Sequence, residues 1–183
     1  RGAGQDLTVL RPSVIFGAGD RFLNLVADLQ AIAPLVPLAG AGARLQPVWV
    51  EDVAAAVVAA LHDRDQPMSA VGQTFECAGP EVFTLAELVR LAGHHGSRAR
   101  PVLPLPGPLA YAQAVLMELA PGEPLMSRDN LASLSVDNVA SGQWPGLAAL
   151  GVEPASLHAV APTYLGRRNG RSGLLDFRRQ ARR

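Results

Sequence analysis

The residues best able to do chemistry stand at the end of one apolar run. Arg11-Pro12-Ser13-Val14-Ile15-Phe16-Gly17 reads as the carboxyl end of a buried strand, where open α/β sheets bind their ligands. Pro12 has no amide hydrogen, so it suits a point where the strand stops pairing and turns its backbone toward a ligand. An edge strand carrying a tolerated proline explains the same residues, and physics alone leaves both readings open. Ser13 lacks the Gly-x-Ser-x-Gly elbow of an activated nucleophile, which leaves it a wall or hydrogen-bonding role. Arg21, in the first turn of the next helix, opposes the helix dipole, which points either to pairing with a ligand anion or to a plain surface arginine.

Other candidates have ordinary explanations. Asp52 heads an alanine-rich helix, where a carboxylate answers exposed amides for about 0.3–1 kcal/mol, so capping is favoured over catalysis. His94-His95 falls at a glycine-flanked helix exit without Cys, Asp or Glu nearby in sequence, and reads as solvated histidines rather than zinc ligands. Cys77, the one cysteine, sits in a strand-like Thr74-Phe75-Glu76-Cys77-Ala78 and reads as a packed thiol in a reducing compartment. Gly17-Ala18-Gly19 resembles the start of a dinucleotide fingerprint, but Phe22 stands where the third glycine belongs. Gly40-Ala41-Gly42 leads into a strand, and both glycine pairs are expected to be turns that use positive φ.

The elements that position these residues alternate. Residues 7–16 read as a strand covered on both faces, and Phe22, Leu25, Val26 and Leu29 then recur at helical spacing up to Pro34. A second strand is expected over 46–50, followed by a helix from Asp52, and a third strand over 73–78. Thr84 with Glu87 three residues on forms a capping box before another helix. Pro101-Val102-Leu103 is one more extended segment. This β-α order is that of an α/β fold. Beyond Pro106 apolar residues 109–119 and short helical pieces at 128–134, 147–150 and 156–165 read as a peripheral, mostly helical cap. The three or four strands make an incomplete sheet with an apolar edge, so the piece alone is expected to aggregate or fold loosely. A start at Arg1, a few residues before a hydrophobic strand, reads as the interior of a longer protein.

At this point the residues carry a resemblance. The Arg-Pro-x-x-x-Phe-Gly strand, Gln46-Pro47-Val48-Trp49-Val50-Glu51-Asp52-Val53-Ala54, Gly79-Pro80 and Thr84-Leu85-Ala86-Glu87-Leu88 together resemble the second half of an extended or atypical short-chain dehydrogenase/reductase (NAD-dependent epimerase/dehydratase-like). More narrowly, LRPSVIFGAGDRF, LQPVWVEDVA, FECAGPEVFTLAEL, LSVDNV and YLGRR are similar, in order, to the nucleotide-binding accessory subunits of respiratory complex I and their bacterial relatives. The similarity covers about 165 of the 183 residues and ends at the Arg-rich tail. It implies the C-terminal portion of a Rossmann-type parallel sheet: residues 1–105 as strands and helices of an NAD(P)-binding domain, 106–166 as a helical cap, and 167–183 as a tail. It implies further that Pro12, Ser13, Val14 and Ile15 line the nicotinamide end of an NAD(P)H site, and that Phe16, Arg21, Phe22 and Gln46 face the mouth where a substrate or partner group sits. The family's phosphate loop and its Tyr-x-x-x-Lys pair lie upstream of this strand and are absent from these residues.

Composition bounds the function. With 49% hydrophobic and 17% charged residues the chain is globular, not disordered. All 16 basic residues are Arg, so no Schiff base and no Tyr/Lys relay resides here. Residues 1–166 hold 9 Arg against 15 acidic residues, and 167–183 hold 7 Arg against one Asp, so an acidic body carries a basic tail. That tail could meet anionic lipid or a partner, or simply be solvated; without interleaved aromatics, nucleic acid is not expected. Residues 106–121 are apolar almost all round and read as a helix covering a cleft, or else one touching a membrane or partner. No signal peptide or spanning run is evident, which suggests a cytoplasmic protein, peripheral at most to an inner membrane. The expected function is a respiratory complex I accessory or assembly-type protein that holds its nucleotide as structure. The alternative is an active NAD(P)-dependent oxidoreductase or sugar-nucleotide epimerase/dehydratase. The near absence of arginines at the mouth, with only Arg44 and Arg64 before Arg90, favours the first.

Overall fold

A computed structural model describes residues 7–62, 70–96, 98–119 and 127–165. In chain order the elements are β1 (Val9–Pro12), β2 (Ile15–Phe16), α1 (Phe22–Ile32), β3 (Val36–Leu38), β4 (Arg44–Leu45), β5 (Val48–Trp49), α2 (Val50–His62), β6 (Thr74–Cys77), β7 (Phe83–Thr84), α3 (Leu85–His95), β8 (Val102–Pro104), α4 (Gly107–Glu118), α5 (Arg128–Ser133), a 3-10 turn at Leu147–Leu150, and α6 (Leu157–Leu165). Three strand pairs, β1–β6, β2–β5 and β3–β8, are parallel, and β4–β7 is antiparallel. The chain is α/β with a Rossmann-type parallel arrangement. The Arg-rich tail lies outside the described residues.

The expected single strand over 7–16 is divided. Ser13 donates its amide to Cys77 O (3.0 Å), closing the register of β1 on β6, and one residue later Val14 O accepts from Val48 N (2.9 Å), opening that of β2 on β5. The run therefore changes neighbour at Ser13–Val14. Pro12, having no N–H to give, sits at the last position of β1 in register with β6, opposite Cys77. Nor is the run covered on both faces: Leu7 is 62% exposed and Val9 38%. β6 is the only strand paired with β1 among the described residues, and that leaves a margin open.

The main core lies between α1, α3 and α6, where Phe16, Leu23, Leu88, Val89, Leu157 and Leu165 pack together. α1 and α3 approach closely because Gly93 has no Cβ; a Cβ there would overlap the Gln30 side chain. Buried Gln30 uses that gap to donate to Val89 O (2.8 Å) and to accept from Arg100 N (3.1 Å). A smaller core joins Val48, Ala56, Cys77 and Leu147, the alanine face of α2 letting the helix lie close to the strands. The capping box at Thr84 and Glu87 is present. Leu147 packs in the smaller core and Leu157 and Leu165 of α6 in the main one.

The glycine turns divide. Gly40 adopts positive φ (65°), whereas Gly17, Gly19 and Gly42 do not. Gly17 is required for space, since a Cβ would press on the Val50 side chain.

Candidate functional site

The change of neighbour at Ser13–Val14 opens a crevice at the carboxyl ends of the parallel strands, and a loop over 138–146 lies across it. The Asn138 carbonyl accepts from both Ser13 Oγ (2.8 Å) and Gln46 N (3.0 Å). The Gln46 side chain clamps from the other side: Nε2 donates to Gly79 O (2.7 Å), and Oε1 accepts from Ala140 N (2.9 Å). Gly79 itself must be glycine, because a Cβ would overlap the Pro47 carbonyl. Deeper in the loop, the Glu76 carboxylate accepts from Ser141 N (2.9 Å), Ser141 Oγ (2.8 Å) and Gly142 N (2.9 Å). These bonds, chiefly those from Ser141, hold Glu76 below the usual carboxylate range against the opposing effect of burial, with help from Arg11. The Arg11 guanidinium lies 4.5 Å from the Trp144 ring centroid. What remains open is a polar notch of about 90 Å³ bounded by Pro12, Ser13, Cys77 and residues 138–140.

Of the residues expected at a cofactor, Pro12 and Ser13 line this notch, Val14 turns to the opposite side, and Ile15 is 41% exposed. Ser13 and Gln46 meet on one carbonyl. Phe22 joins Val14 in lining a separate apolar cavity between the core and α4–α5. Phe16 does not face a mouth: at 1% exposure its ring is a core residue, because the pleat that turns Ile15 outward turns Phe16 in. Arg21 is exposed at the start of α1 and is not brought into the notch.

The other groups singled out in the sequence lie away from the notch or are engaged within the fold. Cys77 is buried, and burial pushes its thiol up. Asp52 is buried rather than a surface cap, its Oδ2 accepting from Ala155 N (2.8 Å) and tying α2 to the chain before α6. The Tyr164 hydroxyl donates to Asp20 Oδ2 (2.8 Å); burial, then the neighbouring carboxylate, pushes this phenol far above its ordinary value and keeps it protonated. Asp20 also accepts from Leu23 N (2.7 Å), capping α1 in place of Arg21. His94 and His95 belong to the last turn of α3, not to a loop, and share an open depression with His158, Arg90 and Glu87. Burial first, then His94 and His158, lowers the pKa of His95. Among the described residues no three His, Cys, Asp or Glu side chains form a metal site.

Sequence reasoning missed the roles of Glu76, Arg11 and Trp144, and of residues 138–142. Their partners lie tens of residues away, and LSVDNV carries no local signal of a strap.

No family model matches the chain. The NADH dehydrogenase [ubiquinone] 1 alpha subcomplex subunit 9, mitochondrial, of Mus musculus is 36% identical over 161 residues, covering 86% of this chain and 41% of that protein. The Arabidopsis thaliana protein of the same name is 33% identical over 145 residues, covering 74% of this chain and 35% of that protein. The chain thus spans about two fifths of the length of these relatives. Among solved structures, Pal from Bacillus thuringiensis gives a TM-score of 0.57 at 13% identity, covering 86% of this chain and 44% of that one. UDP-glucose 4-epimerase from Thermus thermophilus, solved as a complex with NAD, gives 0.54 at 18% identity, covering 88% and 46%. The solved structures share the fold of this chain, and the similarity to the curated relatives makes the chain a member of the family of NADH dehydrogenase [ubiquinone] 1 alpha subcomplex subunit 9 proteins, matching part of their length.

Proposed function

We propose that this chain forms the nicotinamide-facing wall of a dinucleotide site in a respiratory complex I accessory or assembly-type protein, and that the nucleotide is held as structure. The observation that carries this reading is the state of the polar groups at the crevice. Ser13, both ends of the Gln46 amide, and both Glu76 oxygens are all engaged with backbone or side chains of the same chain. They position a wall, and among the described residues lining the notch the one carboxylate, Glu76, is already engaged. The exposed surface of Pro12 and Ile15 and the notch beside Ser13 suit a flat ring bearing an amide, so Pro12, Ser13 and Ile15 would face the nicotinamide end, while Val14, turned to the opposite side, backs them. Such a nucleotide, when bound, supplies hydride-transfer chemistry. The NAD in the neighbouring epimerase structure supports the cofactor class, and the names of the relatives support the respiratory-chain setting. Binding to the folded state alone adds roughly 2.7 kcal/mol at a hundred times the dissociation constant, which suffices to retain a nucleotide without turnover.

We read residues 1–105 as the Rossmann part, 106–166 as the cap region from which α6 docks back, and 167–183 as a basic tail. α4 has no stretch long and apolar enough to cross a membrane, yet Leu116 and Leu119 are 72% and 78% exposed. That face and the tail are the proposed contacts with a respiratory-chain partner at the surface of the inner membrane. The epimerase reading requires cations for a diphosphate, and Arg44 is already paired with Asp137 (3.6 Å). The test is to purify the protein, release its bound small molecules with acid and base, and measure NAD(P)(H) per chain. Near-stoichiometric, slowly exchanging nucleotide that UDP-glucose does not consume is expected. A nucleotide-free protein overturns the reading, and rapid consumption replaces it with the catalytic one.

A further inference from the structure

Three of the chain's four histidines meet at one place. His94 and His95 end α3, His158 comes from α6 later in the chain, and with Arg90 they line an open depression of about 710 Å³, a size usual for small-molecule sites. Val82, Phe83 and Leu91 form its apolar part. The His158 ring leans on Phe83 with centroids 5.5 Å apart, and the rings of His94 and His95 meet edge to face at 5.1 Å. Four side chains able to donate to an anion thus converge from two elements. The one carboxylate lining the depression, Glu87, is committed to the cap of α3, accepting from Thr84 N (2.7 Å) and Thr84 Oγ1 (2.8 Å), with Arg90 the smallest influence on it. Glu81 accepts from Ser156 Oγ (2.9 Å) and does not line the depression. After burial, the charges of His94 and His158 disfavour a proton on His95, so an anion placed among the three would draw protons onto them.

We propose that this depression binds an organic phosphate, its dianion held by Arg90 and the imidazoles of His94, His95 and His158, and its apolar body laid against Val82 and Phe83. A carboxylate offers two oxygens and one charge. A phosphate monoester offers three oxygens and close to two charges, which suits a guanidinium fork ringed by imidazolium donors. Arg90 supplies permanent charge, and the histidines supply charge that arrives with the ligand. The bound state therefore takes up protons, so affinity rises as pH falls toward the ordinary histidine value of about 6.5 and weakens above it. The depression shares no lining residue with the crevice notch, so it stands apart from the nucleotide proposal.

The experiment titrates phenyl phosphate into the purified protein by calorimetry at constant ionic strength, at about pH 6.5 and about pH 8. Saturable binding is expected, about tenfold tighter at the lower pH, which is what one imidazole taking up a proton supplies. Arg90→Gln should weaken it roughly ten- to hundredfold, the worth of a charged hydrogen bond. His94→Gln, His95→Gln and His158→Gln combined should remove the tightening at low pH, whereas His62→Gln, on α2, should leave it intact. Inorganic phosphate should bind more weakly than the phenyl ester because it leaves the apolar wall uncovered. Vesicles of phosphatidic acid in phosphatidylcholine separate the two sources of such a group: sedimentation that falls in Arg90→Gln assigns a lipid headgroup, and sedimentation indifferent to Arg90 assigns a soluble phosphate. Four results overturn the inference: no saturable binding of phenyl phosphate at the lower pH, an affinity unchanged in Arg90→Gln, a pH dependence that survives the triple histidine exchange, or inorganic phosphate as tight as the ester. Nucleotide released from the same preparations reports the crevice separately, so loss of one proposal is distinguishable from loss of the other.

Discussion

The crevice and the cavity lie on opposite sides of the same two residues, Ser13 and Val14, and are built on opposite plans. On the crevice side the side chains of Ser13, Gln46 and Glu76 are satisfied by the protein itself, chiefly through the loop over 138–146. On the cavity side the walls are mainly apolar, with Gln113, Asn130, Ser133 and Asn138 as the polar residues, and among the described residues the buried side-chain atom without a partner is Gln113 Oε1. A satisfied network fixes the shape of the surface it underlies, whereas an unsatisfied buried group costs stability. One strand thus separates a hydrogen-bonded wall from a mainly apolar hollow.

Four substitutions or conditions test that contrast, beginning with the largest expected effect. Gly79→Ala drives a methyl into the Pro47 backbone carbonyl, which cannot swing aside as a side chain could, and should cost about 3 kcal/mol or more, lowering the melting temperature by roughly 6–12 °C. An unchanged thermal transition would show that the crevice is softer than drawn. Gln46→Leu strands Gly79 O and Ala140 N together and should cost about 1–3 kcal/mol in a urea titration. The same exchange at Gln113 removes the orphan along with one bond to Pro37, and stability should stay within about 0.5 kcal/mol of the parent. Equal losses at the two glutamines would erase the distinction between the regions.

Acid provides the gentlest probe. The carboxyl of Glu76 is held below its ordinary value of 4.5 in the folded protein. Its contribution is therefore complete above the unfolded value and disappears as pH falls through the folded one, below 4.5. Fluorescence of Trp144, stacked by Arg11, should change in that window in the parent protein. In Glu76→Gln the acid-dependent step should be missing. A transition centred near the ordinary histidine value of about 6.5 would instead implicate a histidine.

How much of this is legible in the sequence follows from range. The Thr84–Glu87 capping box, the helix over Phe22–Ile32 and the strand over Thr74–Cys77 are set by neighbours a few residues apart, and periodicity finds them. The break at Ser13–Val14 is half visible: Pro12 marks a place where pairing changes, but not that the strand passes from β6 to β5. Phe16 looks available because it follows the crevice residues, and only the pleat shows that it turns inward. Gln46 stands out through a family resemblance alone. Its actual partners lie 33 and 94 residues away, beyond any local signal. Asp52 reads as a surface cap because its acceptor role toward Ala155 spans 103 residues. Gln113 draws notice only as a polar interruption in an apolar helix.

The bond from Tyr164 to Asp20 has a consequence in time. It joins residues 144 apart, and contacts of such separation are closed late, after loop entropy has been overcome. Until α6 docks, the Gly17–Asp20 turn lacks the phenol that fixes its carboxylate, and the start of α1 is held by Asp20 alone. The crevice residues just before that turn would then be among the last to reach their final places. A chain emerging from the ribosome would complete the wall of its crevice only once the last described helix had followed.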